Sequence, residues 1–526
     1  MNSMNHLARI AVIAVFLQSL PLWTGVSDRL AAAEAVVETG IAQIDSEDLR
    51  RHVMTLASDA LEGREAGGRG GKAAAGYLRS VLKSIRQTYP LPLETTQEFG
   101  NDYQNLLLLL PGSDPVLQRE VIVVGAHYDH VGYGKVSNSQ GPIGQIHNGA
   151  DDNASGTSAV LELIEAFASQ ETRPARSLLF AFWDAEEVGL LGSKHWVAHP
   201  SIPLNQIRFA LNLDMLGRLR DGRIVTVGWR SAPGLRHVLA RHNHANELLL
   251  AFQPSVIADS DHHPFYAAGI PVIHMDTDKH DDYHRPSDDP EKLNWEGIRQ
   301  LAQFSYHIVD DAANRADFPL FRREALTEVA PTWMNPREPM AAPIRLGVNW
   351  DQVRWGQGSA VVSRVNANSP AARAGLRSGD RLIQLGSWQN GTTDELKAII
   401  QVATNPVPVR IERPNVKDPV DMLISLQGNP VRLGAGWMDD TALPNSVVVT
   451  HVVADSPAHR SGIAAGDVII EMGGQRLASS EDLRKRVLIE PGPFEFRIER
   501  QGRIREVTVE VVAPYPQTPL TTTQRP

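Results

Sequence analysis

Between about Ile41 and Asp317 the chain alternates short, continuous apolar runs with stretches of helical period. Val121–Gly125, Ser177–Phe182, Arg208–Leu213, Ile224–Val227 and Pro271–His274 read as strands. Their apolar residues run on without polar alternation, the pattern of strands covered on both faces. Ala154–Ser169 and Asn294–Ala313 read as helices, the first with Asp152 or Asn153 placed to cap it. Strands and helices in turn predict an α/β sandwich around a mostly parallel sheet, whose working residues belong where strands end and loops begin.

Beyond Asp317 the pattern changes. Residues 318–343 are rich in Pro, Arg and Glu without periodicity and read as a linker. The chain then repeats itself at a constant offset of 87 (433 − 346). Leu346-Gly347 recurs as Leu433-Gly434, and Ser369-Pro370-Ala371 as Ser456-Pro457-Ala458. Gly375, Gly379-Asp380, Thr393 and Leu396 recur as Gly462, Gly466-Asp467, Ser480 and Leu483. One offset across six landmarks predicts two copies of a small β-rich domain, over 344–428 and 431–513. The Pro/Thr-rich stretch 514–526 reads as a disordered tail.

Composition narrows the chemistry. The 526 residues are 42% hydrophobic and 21% charged, as in an ordinary folded protein, and carry a formal net charge of −10. That balance argues against nucleic acid as a partner. There is no cysteine, so disulfides, thiolate metal sites and cysteine nucleophiles are all excluded. Arg9, the apolar run Ile10–Leu20 and Ala31-Ala32-Ala33 form an export-signal pattern over 1–33, which implies a periplasmic or secreted protein with no membrane span once the signal is removed.

The candidate chemistry lies at the strand ends. In order come His127-Tyr128-Asp129, Asp151-Asp152, Glu186-Glu187, Asp214 and His284. Each has an ordinary explanation on its own. His-x-Asp is a common strand end, Asp151-Asp152 would cap a helix, two glutamates suit a surface loop, and a loop histidine is usually solvated. Together they are the nitrogen and carboxylate donors that zinc prefers. One of the two adjacent aspartates would bridge two cations, since cations roughly 3.5–4 Å apart need a shared anion between them. Asp129, two residues on from His127 and on the same strand face, would accept a hydrogen bond from its second ring nitrogen.

Taken with Leu61-Glu62-Gly63-Arg64, Gly149 to Gly156, Asn212-Leu213-Asp214-Met215, Ser260-Asp261-His262 and Tyr283-His284, the stretch from Leu61 to Asp289 resembles the M28 family of two-zinc aminopeptidases. The resemblance implies that His127 and Asp214 hold one zinc and that Glu187 and His284 hold the other. It implies Asp152 as the bridge, with Asp151 as the fallback, Glu186 as general base and Asp129 as the orienting acid. It also implies peptide or protein substrates cleaved at the amino end. The repeats resemble bacterial PDZ domains, which implies capture of C-terminal peptides or partners as an added strand. Two alternatives stay open: a carboxypeptidase or deacylase of the related M20 family, and a PDZ scaffold with an inert peptidase domain. Cyclases of glutaminyl N-termini share the fold but generally use one zinc, and the full ligand set argues against them. Phe265 and Tyr266 are expected in the core, and His130 and His147 in solvent.

Overall fold

The computed structural model describes residues 40–511 except 93, 244–246, 336 and 429, so the export-signal pattern and the tail lie outside the described residues. The chain divides into two compact units. The first takes in residues up to Ala232 and Ala245–Leu326; the second is Pro233–His244 with everything from Thr327 on.

An eight-stranded mixed sheet forms the first unit. In chain order its strands are β1 (Thr95–Phe99), β2 (Tyr103–Leu110), β3 (Val121–His127), β4 (Ser177–Trp183), β5 (Ile207–Leu213), β6 (Arg223–Val227), β7 (Leu249–Phe252) and β8 (Val272–Asp276). Across the sheet they run β1-β2-β4-β3-β5-β8-β6-β7. The centre is parallel: β4 with β3, β3 with β5, and β5 with β8. Towards the margins, β1–β2, β2–β4 and β6–β8 are antiparallel. Every residue of β3 and β4 is buried, which is why their apolar runs do not alternate. β1, β2 and β7 are not among the predicted strands, and β1 has no apolar run to announce it.

Helices Gly156–Ala168 and Trp295–Asn314 pack against β3. Another core cluster gathers Val121, Val123, Leu179, Trp183, Trp196, Phe265 and Tyr266, so Phe265 and Tyr266 are core residues as expected. The N-cap of helix Gly156–Ala168 is Ser155, neither Asp152 nor Asn153, but the Asn153 Oδ1 accepts the first helical N–H, that of Gly156, at 2.9 Å. The stretch read as a linker contributes to both units. Ala325 belongs to the first unit's core, and Trp333 is buried in the second.

In the second unit the two repeats form separate cores. The first holds β9 (Val348–Trp350), β10 (Val362–Val365), β11 (Arg381–Leu385), β12 (Trp388–Gln389), β13 (Val407–Glu412) and β14 (Val420–Ile424). The second holds β15 (Ala435–Met438), β16 (Val447–Val452), β17 (Val468–Met472), β18 (Gln475–Arg476), β19 (Phe494–Arg500) and β20 (Arg503–Val509). Helices Thr393–Val402 and Ser480–Ile489 also correspond at the offset of 87. The sequence landmarks have local jobs. Ser369 and Ser456 cap short helices whose first residue is proline. Gly347 and Gly434 sit at φ +80° and +79°, and a Cβ on either would meet the capping serine's Cβ at 2.3 and 2.1 Å.

Candidate metal centre

The site assembles at the carboxyl ends of the central parallel strands. β3 ends on His127, β4 leads into Glu186-Glu187, β5 into Asp214, and the loop after β8 carries His284. Asp152 comes from the loop before helix Gly156–Ala168. Three residues beside or within the ligand set, Ala185, Met215 and His284, have left-handed backbone with φ between 51° and 60°, where non-glycine residues are uncommon.

Asp152 stands between two histidines. Its Oδ1 lies 3.3 Å from His127 Nε2, and its Oδ2 lies 3.0 Å from His284 Nε2. His127 Nε2 is also 3.2 Å from Asp214 Oδ1, and His284 Nε2 is 3.2 Å from Glu187 Oε2. Two donor clusters result, sharing Asp152: His127, Asp152 and Asp214, and His130, Asp152, Glu187 and His284. Asp151 turns elsewhere, taking the Ser155 hydroxyl at 3.0 Å and lying 3.2 Å from His280 Nε2.

The surroundings fix these donors. The Asp288 carboxylate accepts the backbone N–H of Asp151 at 2.9 Å and of Asp152 at 3.1 Å, and is itself paired with Arg218 at 3.2 Å. The fully buried Arg64 donates to the carbonyls of Leu56, Tyr128, Asn148 and Gly149, tying together the loops that carry His127 and Asp152. The Ser260 hydroxyl donates to Asp214 Oδ2 at 2.7 Å. His284 Nδ1 faces the Asn138 carbonyl at 2.8 Å, leaving Nε2 for the carboxylates.

Asp129 works differently from expectation. Its carboxylate accepts the backbone N–H groups of Glu186 and Glu187 at 3.0 and 3.3 Å, holding the turn after β4. Towards His127 Nδ1 it offers its backbone carbonyl at 3.2 Å, with the nearest carboxylate oxygen at 3.7 Å. His130 and His147, expected in solvent, are buried. Their loop folds back under residues 63 and 64: His130 N–H bonds the Arg64 carbonyl, and Gly132 N–H the Gly63 carbonyl. Loop sequence carries no period that would announce such burial.

The electrostatics favour positive charge. Among the described residues no Lys or Arg side chain makes an ion pair with Asp129, Asp152, Glu186, Glu187 or Asp214. Burial opposes charge on His127, but Asp214, Glu186, Asp129 and Asp152 override it and hold the ring well above its ordinary value. Burial likewise opposes charge on His284, yet Asp152 and Glu187 raise it to about 10. Glu186 is pushed well up by burial, then by the negative Glu187, Asp261 and Asp214 against the pull of His127. Once a cation displaces the ring protons, imidazole nitrogens and ionised carboxylates in this arrangement fit divalent ions. The donor separations of 3.0–3.3 Å match the edges, about 3.3 Å, of a coordination tetrahedron with bonds of about 2.0–2.1 Å. Glu186 completes the wall of a cavity of about 440 Å³ that opens over both clusters and continues past Met215, Val225, Ile257 and Tyr283.

An α/β sheet with two candidate histidine–carboxylate clusters sharing one aspartate is consistent with a di-metal site. Residues 105–309 match the model of Peptidase family M28, and residues 361–413 and 420–511 match PDZ domain models. The chain carries an M28 peptidase domain followed by two PDZ domains. It is 30% identical over 266 residues to leupeptin-inactivating enzyme 1 of Streptomyces exfoliatus, a match covering 50% of this chain and 55% of that one. It is 28% identical over 212 residues to aminopeptidase YwaD of Bacillus subtilis, covering 38% and 43% respectively. A solved LapA aminopeptidase of Legionella pneumophila aligns with a TM-score of 0.46 at 22% identity, over 54% of this chain and 75% of that chain. The chain spans about half the length of the curated relatives it matches.

Proposed function

We propose that this protein is an exported aminopeptidase that uses two zinc ions to remove residues from the amino end of peptides. The observation that carries the reading is Asp152, one oxygen facing each histidine, with Glu186 lining the same cavity. Zinc accepts a set of imidazole and carboxylate donors without sulfur. A pair of such ions supplies Lewis acidity and brings the pKa of an attacking water towards roughly 7.

The chain's own residues do the rest. Glu186 accepts the proton of the water that attacks the peptide carbonyl, then returns it to the departing amine, a transfer that contributes roughly 10²–10⁴-fold in rate. Asp129 fixes Glu186 through the backbone of the turn. Met215, Val225 and Ile257 offer an apolar wall for the side chain of the residue to be removed. The aminopeptidase names of related chains support a free amino end as the recognised group.

The first PDZ domain has an open groove of about 210 Å³ lined by Leu346, Gly347, Val348, Trp350, Lys397 and Ile400. Such a groove takes an extended C-terminal peptide as an added strand. Export rests on the pattern in residues 1–33. No described helix is long and apolar enough to cross a membrane.

The deciding assay offers the zinc-loaded protein aminoacyl anilides, N-blocked peptides and C-blocked peptides, with and without chelator. Chelator-sensitive cleavage that requires a free amino end is expected. Cleavage that requires a free carboxyl end would replace the reading with a carboxypeptidase. Tail binding without any cleavage would replace it with a scaffold.

A further inference from the structure

His130 follows His127-Tyr128-Asp129 directly; the resemblance gives it no role, yet its ring falls within the second donor cluster. Its side chain is 0% exposed. The backbone is pinned by its N–H bond to the Arg64 carbonyl and by a bridge to Glu65. The ring lies against Gly149, where a Cβ would come within 2.5–2.6 Å of its carbons. Residue 149 is a glycine at φ +56°, and the ring occupies the space a side chain would need.

The ring's polar contacts all lie inside the second donor cluster. Nδ1 is 2.8 Å from Glu187 Oε1 and 3.8 Å from Asp152 Oδ2. His284 Nε2 approaches the same two carboxylates at 3.2 and 3.0 Å, its ring standing edge-on to that of His130 at 5.5 Å. Nε2 of His130 is buried with no hydrogen-bond partner, so nothing outside the cluster claims the ring.

We infer that His130 Nδ1 is a fourth protein donor to the ion held by Asp152, Glu187 and His284. The inference rests on the two-ion reading and adds an asymmetry to it. These four side chains each offer one donor atom, all within 4.8 Å of one another. His130 Nδ1 meets Glu187 at Oε1, 2.8 Å away, while His284 Nε2 meets it at Oε2, 3.2 Å away; both rings face Asp152 Oδ2, at 3.8 and 3.0 Å, near the roughly 3.3 Å edge of a four-coordinate zinc site. His127, Asp152 and Asp214 give the other ion only three. A site closed by four protein donors is the mark of an ion held for structure, and three donors leave a position for water or substrate. The His284-side ion is therefore the anchored one. The His127-side ion is the one that exchanges its remaining ligand and leaves first under a chelator.

An alternative role is distinct in its consequences: His130 could donate a hydrogen bond to Glu187 without touching an ion. Zinc-edge X-ray absorption counts imidazoles per ion and separates the two. The wild-type protein loaded with two zinc ions should show three imidazoles shared between them, and His130→Gln should show two. Chelator titration followed by elemental analysis should show the anchored ion weakened in His130→Gln by more than about 100-fold, beyond the roughly 10–100-fold that loss of an outer hydrogen-bonding partner costs. Two imidazoles in the wild type overturn the inference, whatever the variant does and even if the variant fails to fold. A smaller loss with an unchanged count assigns His130 to positioning Glu187 and overturns it as well. A wild-type protein that retains no ion removes the two-ion reading itself, a result distinct from the others.

Discussion

The metal centre and the PDZ repeats bury acids in opposite ways. In the PDZ repeats, Asp380 and Asp467 are almost wholly buried and each is fully answered from within the chain. Arg413 grips Asp380 with two bonds of 2.8 Å, and Arg500 grips Asp467 with two of 2.6 Å. A backbone N–H, from Arg377 or Ala464, adds a further bond at 2.8 Å. In the peptidase domain Asp152, Glu187 and Asp214 converge on histidine nitrogens instead, with no guanidinium or ammonium in ion-pair contact. A buried carboxylate is therefore not by itself a sign of function. Matched by a fixed arginine it holds a fold. Left to face imidazoles it is set to bind a cation from outside.

The contrast can be broken first at Glu186. Glu186→Gln should lower turnover on an aminoacyl anilide by roughly 10²–10⁴-fold while leaving the zinc content unchanged. Asp467→Asn, an acid-to-amide change of the same kind in the repeats, should leave turnover where it was. Wild-type turnover in the glutamine variant would remove Glu186 as the base.

Stability should respond the other way round. Arg500→Met leaves Asp467 buried without its guanidinium and should cost about 3 kcal/mol in a denaturant titration, the low end for breaking a buried pair because Arg500 keeps a solvent-facing edge. Replacing both partners with apolar residues should recover most of that loss. If the single and double variants are equally unstable, the pair is not what the repeat depends on. In the peptidase domain the corresponding stabilisation should come from the ion. Zinc at about 100 times its Kd should stabilise the wild type by about 2.7 kcal/mol, and Asp152→Asn should lose most of that gain. Equal gains in both proteins would mean that zinc binds elsewhere.

The sequence revealed more of this contrast than of its supports. Most of the ligands were legible because they lie at or beyond the end of a continuous apolar strand, and strand ends in a parallel sheet gather at one edge; Asp152 was legible instead as one of two adjacent acids before a helix. The repeat was legible because its landmarks act locally: a capping serine, a proline at the first helical position, a glycine with positive φ. His130 was not, because its partner Glu187 is 57 residues away and a loop has no period to show which side is buried. The same holds for Asp288 and Arg64, whose bonds to the Asp152 loop span 136 and 85 residues. The grouping of helix Leu235–His242 with the repeats depends on contacts such as Arg236 with Glu499, at 2.6 Å and 263 residues apart. Asp129 was legible as part of the site, but its carboxylate turned to a backbone that only the fold brings near.

A third way to neutralise a buried acid sharpens the comparison. Glu162 sits 1% exposed in helix Gly156–Ala168, with one oxygen accepting the Asp45 N–H at 3.1 Å and the other without a hydrogen-bond partner. Its nearest basic group in ion-pair range, His52 at 3.8 Å, is held near pKa 4 by burial and stays neutral. Burial, reinforced by Asp48 and Glu165 against the Asp45 N–H, raises Glu162 to about 8. Neither an arginine nor a second histidine answers this acid; a proton does. The sign follows from the raised value. Stability from the protonated form is complete below the ordinary 4.5, declines as the unfolded chain begins to ionise, and is lost as pH rises through about 8. Glu162→Gln fixes the neutral form while keeping an oxygen for the Asp45 N–H. The variant's advantage over the wild type should therefore be larger at pH 9 than at pH 5, by roughly 1–3 kcal/mol in paired urea titrations. A gap that does not change between those two pH values would mean that Glu162 is already ionised in the folded protein at pH 5, and that some positive charge must answer it as the arginines answer Asp380 and Asp467.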